Sequence, residues 1–140
     1  MVSLEKNPML DDAMLNDLFA RSWAEHTSRP FADVLARSLG FIGAFDDGRL
    51  IGFVNVATDG GAHAFLLDPT VDPAYRRQGL GRRIVRAAID LARAANCEWV
   101  HVDFEPQLAP FYAACDFVPT EAGMISLVAS ANERGTSRPI

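Results

Sequence analysis

The segment Arg76-Arg77-Gln78-Gly79-Leu80-Gly81-Arg82 constrains the fold more than any other, because it joins an apolar run ending at Val71 to a long helical pattern opening near Gly79. A strand, a glycine-bearing loop and a helix N-terminus in that order leave backbone N–H groups facing outward at the positive end of a helix dipole. Such a cradle suits a phosphate-bearing ligand. Two familiar phosphate loops are not matched: there is no Gly-Lys-Ser/Thr ending, and Ile84 stands where a dinucleotide fingerprint has its third glycine. Neither nucleoside-triphosphate hydrolysis nor dinucleotide binding is indicated.

The arrangement of charge sharpens that expectation. Arg76, Arg77, Arg82, Arg83 and Arg86 crowd one helix entrance, although the 140-residue chain carries a formal net charge of −5. A local anion site fits this pattern and a nucleic-acid surface does not. Arg76 and Arg82 flank the glycines and are the phosphate candidates, whereas Arg86 and Arg93 read as a solvated helix face. At this length one domain is expected, covering residues 1–128, followed by a polar, poorly ordered tail over 129–140. No apolar run is long enough to span a membrane, so no membrane partner is expected. Met1 to Leu10 lacks a basic region followed by an apolar core, so a cytoplasmic location is expected. Cys97 and Cys115 show no metal-ligand spacing; no metal is expected, and both read as free thiols acting as small buried apolar groups.

Periodicity supplies a coarse architecture mixing α and β elements. Met14, Leu15, Leu18, Phe19 and Ser22 recur at helical spacing over residues 11–22, with Asp11 or Asp12 as cap. Thr27-Ser28-Arg29-Pro30 interrupts the pattern; Phe31, Val34, Leu35 and Leu39 resume it, and Gly40 is expected to end that second helix. Strands follow over 41–45 and 50–57 around the turn Asp46-Asp47-Gly48-Arg49, and a third over 64–71 after Asp59-Gly60-Gly61. These three form an antiparallel meander. The helix after the glycine loop runs to about Ala95, with an apolar surface broad enough to pack on a sheet and Asn96 as a left-handed cap. Residues 99–104 read as a strand parallel to the one before the loop, since a crossover helix separates them. Pro106 opens a short helix through Ala114, and residues 117–119 and 124–128 are expected to form a closing hairpin.

Counted from Arg76, the loop reads Arg/Gln-x-x-Gly-x-Gly/Ala, and Val71-Asp72-Pro73-Ala74-Tyr75 precedes it. Further on, Phe111-Tyr112-Ala113-Ala114-Cys115-Asp116-Phe117 supplies a second signature. Together these resemble the two ordered motifs of the GNAT family of N-acetyltransferases, and the order of elements is similar over nearly the whole chain. The resemblance implies a mixed α/β fold with a mostly antiparallel sheet, a splayed parallel strand pair and flanking helices. Its N-terminal strand would have to come from residues 2–5. It also implies acetyl-CoA as cosubstrate, with pyrophosphate held at Arg76, Arg77, Gln78, Gly79, Leu80, Gly81 and Arg82. The backbone around Val71 would hold the pantetheine or acetyl carbonyl. Members of the family often form homodimers.

Acyl transfer needs a neutral amine, a stabilised oxyanion and a neutralised leaving thiolate. By resemblance Tyr112 serves the thiolate. The base stays open among Asp68, Glu105, Asp103, His63 and an ordered water. Asp68 precedes Pro69, which would interrupt a ladder and mark a bulge. Glu105 departs from the family's usual asparagine, and Asp116 departs from its usual glycine. His63 and His101 read as structural. In the family the acceptor enters opposite the cofactor, which implicates Trp23, Glu25, His26, Phe31 and residues 119–124. The acidic chain favours a small cationic amine. A noncatalytic acyl-CoA sensor or an assembly subunit is the alternative.

Overall fold

The computed structural model describes residues 1–128, and the expected tail at 129–140 lies outside the described residues. Five strands make one sheet in sequential order: β1 Val2–Lys6, β2 Gly40–Asp46, β3 Arg49–Thr58, β4 His63–Val71 and β5 Trp99–His101. The first four are antiparallel neighbours, and β5 runs parallel to β4. The N-terminal strand required by the resemblance is therefore present, one residue longer than expected, in register Leu4↔Ala44. The β2–β3 turn puts Asp47 at φ 50° and Gly48 at φ 79°. Both central residues are left-handed, which matches the strand twist of a tight hairpin.

Helices cover both faces. On one lies α3, Leu80–Ala94, whose Leu80, Ile84, Val85, Ala88, Leu91 and Ala92 are buried against Ile42, Ala44, Ile51, Val54, Val56, Ala64 and Leu66. On the other lies α1, Asp12–Ser22, which buries Leu15, Leu18 and Phe19 against Leu50, Phe53 and Phe31. The Asp11 carboxylate accepts from Met14 N at 2.8 Å and so caps α1 as its sequence predicts. Asn96 takes φ 64° beyond α3, the left-handed stop expected of it. A short α2, Ala32–Arg37, follows Phe31, and after α3 and β5 a single turn at Pro106–Leu108 leads into α4, Ala109–Ala114.

Three expectations fail. Gly40 does not end α2; it is the first residue of β2, paired with Val56. An added Cβ there would lie 2.6 Å from Leu91 Cδ1, so the glycine admits α3 close to the sheet. β5 stops at His101 rather than 104. The closing hairpin is absent: among the described residues no strand follows β5. Pro119 lacks an N–H for a ladder, and the three-residue β5 offers little edge for a new strand. Val118, Ile125 and Leu127 consequently stand 82%, 83% and 92% exposed.

Candidate functional site

The opening between β4 and β5 follows from their unequal lengths. They pair only at His63↔Trp99, Ala64↔Val100 and Phe65↔His101, while β4 continues to Val71. Beyond Phe65 the side of β4 that faces β5 has no strand against it. On its other side the β3 register jumps from Asn55↔Leu67 to Phe53↔Thr70, so Asp68 and Pro69 together oppose Val54. This is the bulge that Asp68-Pro69 predicts, with Asp68 at φ 54°. A bulge bends its strand, and the β4–β5 ladder ends at Phe65↔His101, before the bulge is reached.

This unpaired stretch of β4 leads in sequence to the glycine loop before α3. Arg77 at φ 62° and Gly79 at φ 80° reverse the chain into α3. Gly79 is the N-cap and supplies no side-chain acceptor, and the helical ladder begins with Arg83 N donating to Gly79 O at 3.2 Å. The N–H groups of Leu80, Gly81 and Arg82 are thus left without a helical acceptor. A Cβ at Gly79 would meet nothing within 4 Å. Arg77, Arg82 and Arg83 are exposed around this opening, and none forms an ion pair among the described residues. An anionic group fits here on both hydrogen bonding and charge.

Not every arginine of the cluster points to that opening. Arg76 donates from Nε to Val71 O at 3.1 Å and from an η nitrogen to Ser22 O at 3.4 Å, which braces the loop against β4 and α1. Gln78 reaches back to Ala74 O at 3.5 Å. Arg86, expected to be a solvated face residue, instead donates to Ala114 O at 3.2 Å and lies 3.8 Å from Asp116, tying α3 to the end of α4. Asp116 itself holds φ 72°, so it fills the left-handed position that glycine would occupy. Arg93 pairs with Asp90 at 2.6 Å on the surface.

Tyr112 comes from α4 and is 1% exposed. Its ring stacks on Phe104 at 4.7 Å and meets Phe111 and Phe117 edge-on. Burial pushes its phenol well above the ordinary range, with Cys115 and Asp103 adding to the rise. At neutral pH the group is an O–H donor. Cys115 is 2% exposed and burial raises its thiol too, in keeping with an inert buried sulfur. Glu105 is half-buried and accepts from Gln107 Nε2 ahead of the turn at Pro106–Leu108. Asp103 is exposed.

The opposite side of the sheet gathers an aromatic nest. Phe19 stacks on Trp23 at 4.5 Å and 4°, and its edges meet His26, Phe31 and Phe53. Asn16 knits the connecting loop: its amide donates to Asp12 O and Arg29 O, and its Oδ1 takes Arg29 N at 3.0 Å and His26 Nε2 at 2.8 Å. The two donations fix the amide orientation, so His26 Nε2 is the donor. Burial, then Arg29, lowers the imidazole below its ordinary range. The Arg29 guanidinium lies 5.0 Å over Phe31 and 3.6 Å from the Asp68 carboxylate. Asp68 therefore faces the nest and carries an ion pair there. Trp23 Nε1 is buried with no partner among the described residues. Trp23, His26 and Phe31 are thus brought together as expected; Glu25 is exposed, and residues 119–124 form no wall.

The joint between the two sides has no signature in the sequence. Asp72, 5% exposed, accepts from Arg21 Nε at 2.8 Å and from Ala74 N at 2.9 Å, while Arg21 also donates to Leu50 O at 2.9 Å. The Asp-Pro pair at 72–73 signals a turn start. Its partner on α1 has no local signal. Tyr75 adds a second joint by donating to Asp46 Oδ2 at 2.5 Å, which raises the phenol and, with the N-terminal ammonium, lowers the carboxyl.

Comparison with known proteins agrees with this geometry. The family model "Acetyltransferase (GNAT) family" matches residues 11–117. The chain is 42% identical over 59 residues to a probable glucosamine 6-phosphate N-acetyltransferase of Oryza sativa subsp. japonica, covering 42% of this chain and 36% of that protein. It is 28% identical over 107 residues to a mycothiol acetyltransferase of Mycolicibacterium vanbaalenii, covering 73% of this chain and 36% of that one. The chain spans about a third of the length of these curated relatives. In fold it is similar to a GNAT-family acetyltransferase from Streptococcus pneumoniae TIGR4, with TM-score 0.78 at 22% identity over 91% of this chain and 98% of that one. It is also similar to the glucosamine-6-phosphate N-acetyltransferase of Arabidopsis thaliana, with TM-score 0.75 at 15% identity over 90% and 97% of the two chains.

Proposed function

The chain belongs to the GNAT acetyltransferase family, and from that premise we propose that it moves an acetyl group from acetyl-CoA to a primary amine of a small molecule by direct attack in a ternary complex. The observation that carries this reading is the continuity of the bulged, unpaired stretch of β4 with the uncapped N-terminus of α3. A thin pantetheine-like arm fits along that stretch, and a pyrophosphate fits the N–H groups of Gly79, Leu80, Gly81 and Arg82 with Arg77 beside them. Arg76 and Gln78 hold the shape of this loop. The Val71 carbonyl already accepts from Arg76, so it is the unpaired edge leading up to Val71 that is offered to the arm. Bound acetyl-CoA supplies the activated acyl thioester.

Tyr112 would donate a hydrogen bond to the departing sulfur. Full proton transfer is not supported, because a thiol titrates near about 8.5 and a phenol near about 10 in water, and burial widens that gap here. Charge on sulfur would be met by the O–H dipole in a water-poor setting. Asp68 is better placed than Glu105 to meet an incoming ammonium, since its Arg29 partner belongs to the acceptor-side loop. If Asp68 binds the amine, Asp68→Asn raises the acceptor KM; if it is the base, kcat falls at every acceptor concentration.

The acidic chain favours a small cationic acceptor. A second reading, an amino sugar phosphate, is supported by Arg29 and by the name of the relative that is 42% identical over 59 residues. Residues 1–128 are proposed to act as one unit. Among the described residues no helix is long and apolar enough to cross a membrane, and a cytoplasmic setting remains part of the proposal. The test is CoA release across polyamines, amino sugar phosphates, amino acids and peptides, with Tyr112→Phe as control. Release with one class names the acceptor. Tight acetyl-CoA binding with no release from any class would replace the enzyme by the sensor.

A further inference from the structure

The short β4–β5 pairing places two histidines in contact. Ala64, Leu66 and Val100 pack into the α3 core, so by strand alternation His63, Phe65 and His101 stand on the opposite face. There His63 Nδ1 and His101 Nε2 lie 2.7 Å apart. Phe65 stacks on His101 at 4.7 Å and 19°, and lies 6.4 Å from His63 at 25°. The backbone of His63 is tied down: its N–H donates to Asp59 Oδ1, and its carbonyl accepts from Thr58 Oγ1 at 2.9 Å. Neither imidazole forms an ion pair among the described residues, although the Asp59 carboxylate is near enough to feel the His63 charge.

The two nitrogens face each other, one ring donating a hydrogen bond to the other. A divalent ion between them would take a lone pair from each neutral ring, the bridging hydrogen passing to the donor ring's other nitrogen by a change of tautomer, with no net proton released. The separation selects among ions. Metal–imidazole bonds are about 2.0–2.1 Å, so neighbouring ligands at right angles lie about 2.9 Å apart and tetrahedral ligands about 3.3 Å apart. The observed 2.7 Å is a hydrogen-bond length, from which the rings need part only slightly to meet the first spacing and further to meet the second.

We propose that His63 and His101 form a two-imidazole site for Cu2+ or Ni2+ on the exposed face of the β4–β5 pair, water completing the coordination. Among the described residues no group of three His, Cys, Asp or Glu side chains is set to hold a metal. The site is therefore open and exchangeable rather than a structural clamp. It stands apart from the acetyl-transfer reading and does not depend on it.

Ni2+ is the first probe because it does not oxidise Cys97, which is half-buried two residues before β5. Calorimetric titration of the full chain should show one Ni2+ per protein, bound more tightly than Zn2+. His63→Gln and His101→Gln should each weaken it at least about tenfold, while Cys97→Ser leaves it unchanged. Cu2+ bound to the wild-type chain should give an electron paramagnetic resonance spectrum with two nitrogen donors, a readout that needs no variant. Zn2+ preference, equal Ni2+ binding by the double glutamine variant, or a copper spectrum with fewer than two nitrogens would overturn the proposal.

Discussion

The two sides of the sheet are built from different materials. On the α3 side the opening is made of backbone: a bulge at Asp68-Pro69, left-handed residues at Arg77 and Gly79, and three unclaimed N–H groups. On the α1 side the nest is made of side chains drawn from residues 12–31, β3 and β4. Backbone features tolerate side-chain drift and suit a constant ligand; side-chain assemblies change with single substitutions and suit a variable one. Arg21 on α1 and Asp72 after β4 join the two.

The largest effect belongs to Tyr112. Tyr112→Phe keeps the ring among Phe104, Phe111 and Phe117 and removes only the O–H, so kcat should fall about 100-fold with the acetyl-CoA KM unchanged. An unaltered kcat over the whole pH range would leave Tyr112 as packing alone. Next comes the joint. Arg21→Met strands a carboxylate whose side chain is only 7% exposed, and should cost about 2 kcal/mol of stability in urea unfolding. Adding Asp72→Asn should recover part of that loss; an additive double variant would show that the two residues act separately.

Gly79 tests whether the anion side is a matter of backbone. No atom lies within 4 Å of its missing Cβ, so Gly79→Ala probes the φ of 80° rather than a clash. A left-handed alanine costs about 1–2 kcal/mol, and the acetyl-CoA KM should rise about tenfold, with Gly79→Asn between alanine and wild type. Equal KM values for all three would mean that the loop does not hold the cofactor.

What could be read beforehand divides along the same line. Asp68-Pro69, Asp46-Asp47-Gly48-Arg49, Asn96 and the Asp11 cap announced their backbone states because each is dictated by its own residue type. Contacts between distant side chains had no such signal. The Arg21–Asp72 pair, the anchoring of Arg86 to α4 and the His63–His101 contact all depend on register and on where helices dock. The closing hairpin expected over 117–119 and 124–128 fails because the three-residue β5 offers little edge and nothing covers the apolar side chains that such strands would carry. A short apolar run becomes a strand only when an edge and a face exist to receive it.

The smallest predicted effect lies in the nest. Its imidazole, His26, is held below the ordinary range first by burial and then by Arg29. On acidification the unfolded chain takes up this proton before the folded one. The fold therefore loses stability as pH falls from about 6.5 through the lowered folded value, and the loss is complete below it. His26→Gln keeps a donor for Asn16 Oδ1 and cannot charge. Urea midpoints of the two proteins should differ in favour of wild type near neutral pH, and the difference should shrink or reverse by about pH 5. A difference that does not vary with pH would show that His26 contributes packing and its hydrogen bond alone. A pH-dependent one would mark the side-chain half of the molecule as the part whose shape answers to solution conditions, while the backbone half does not.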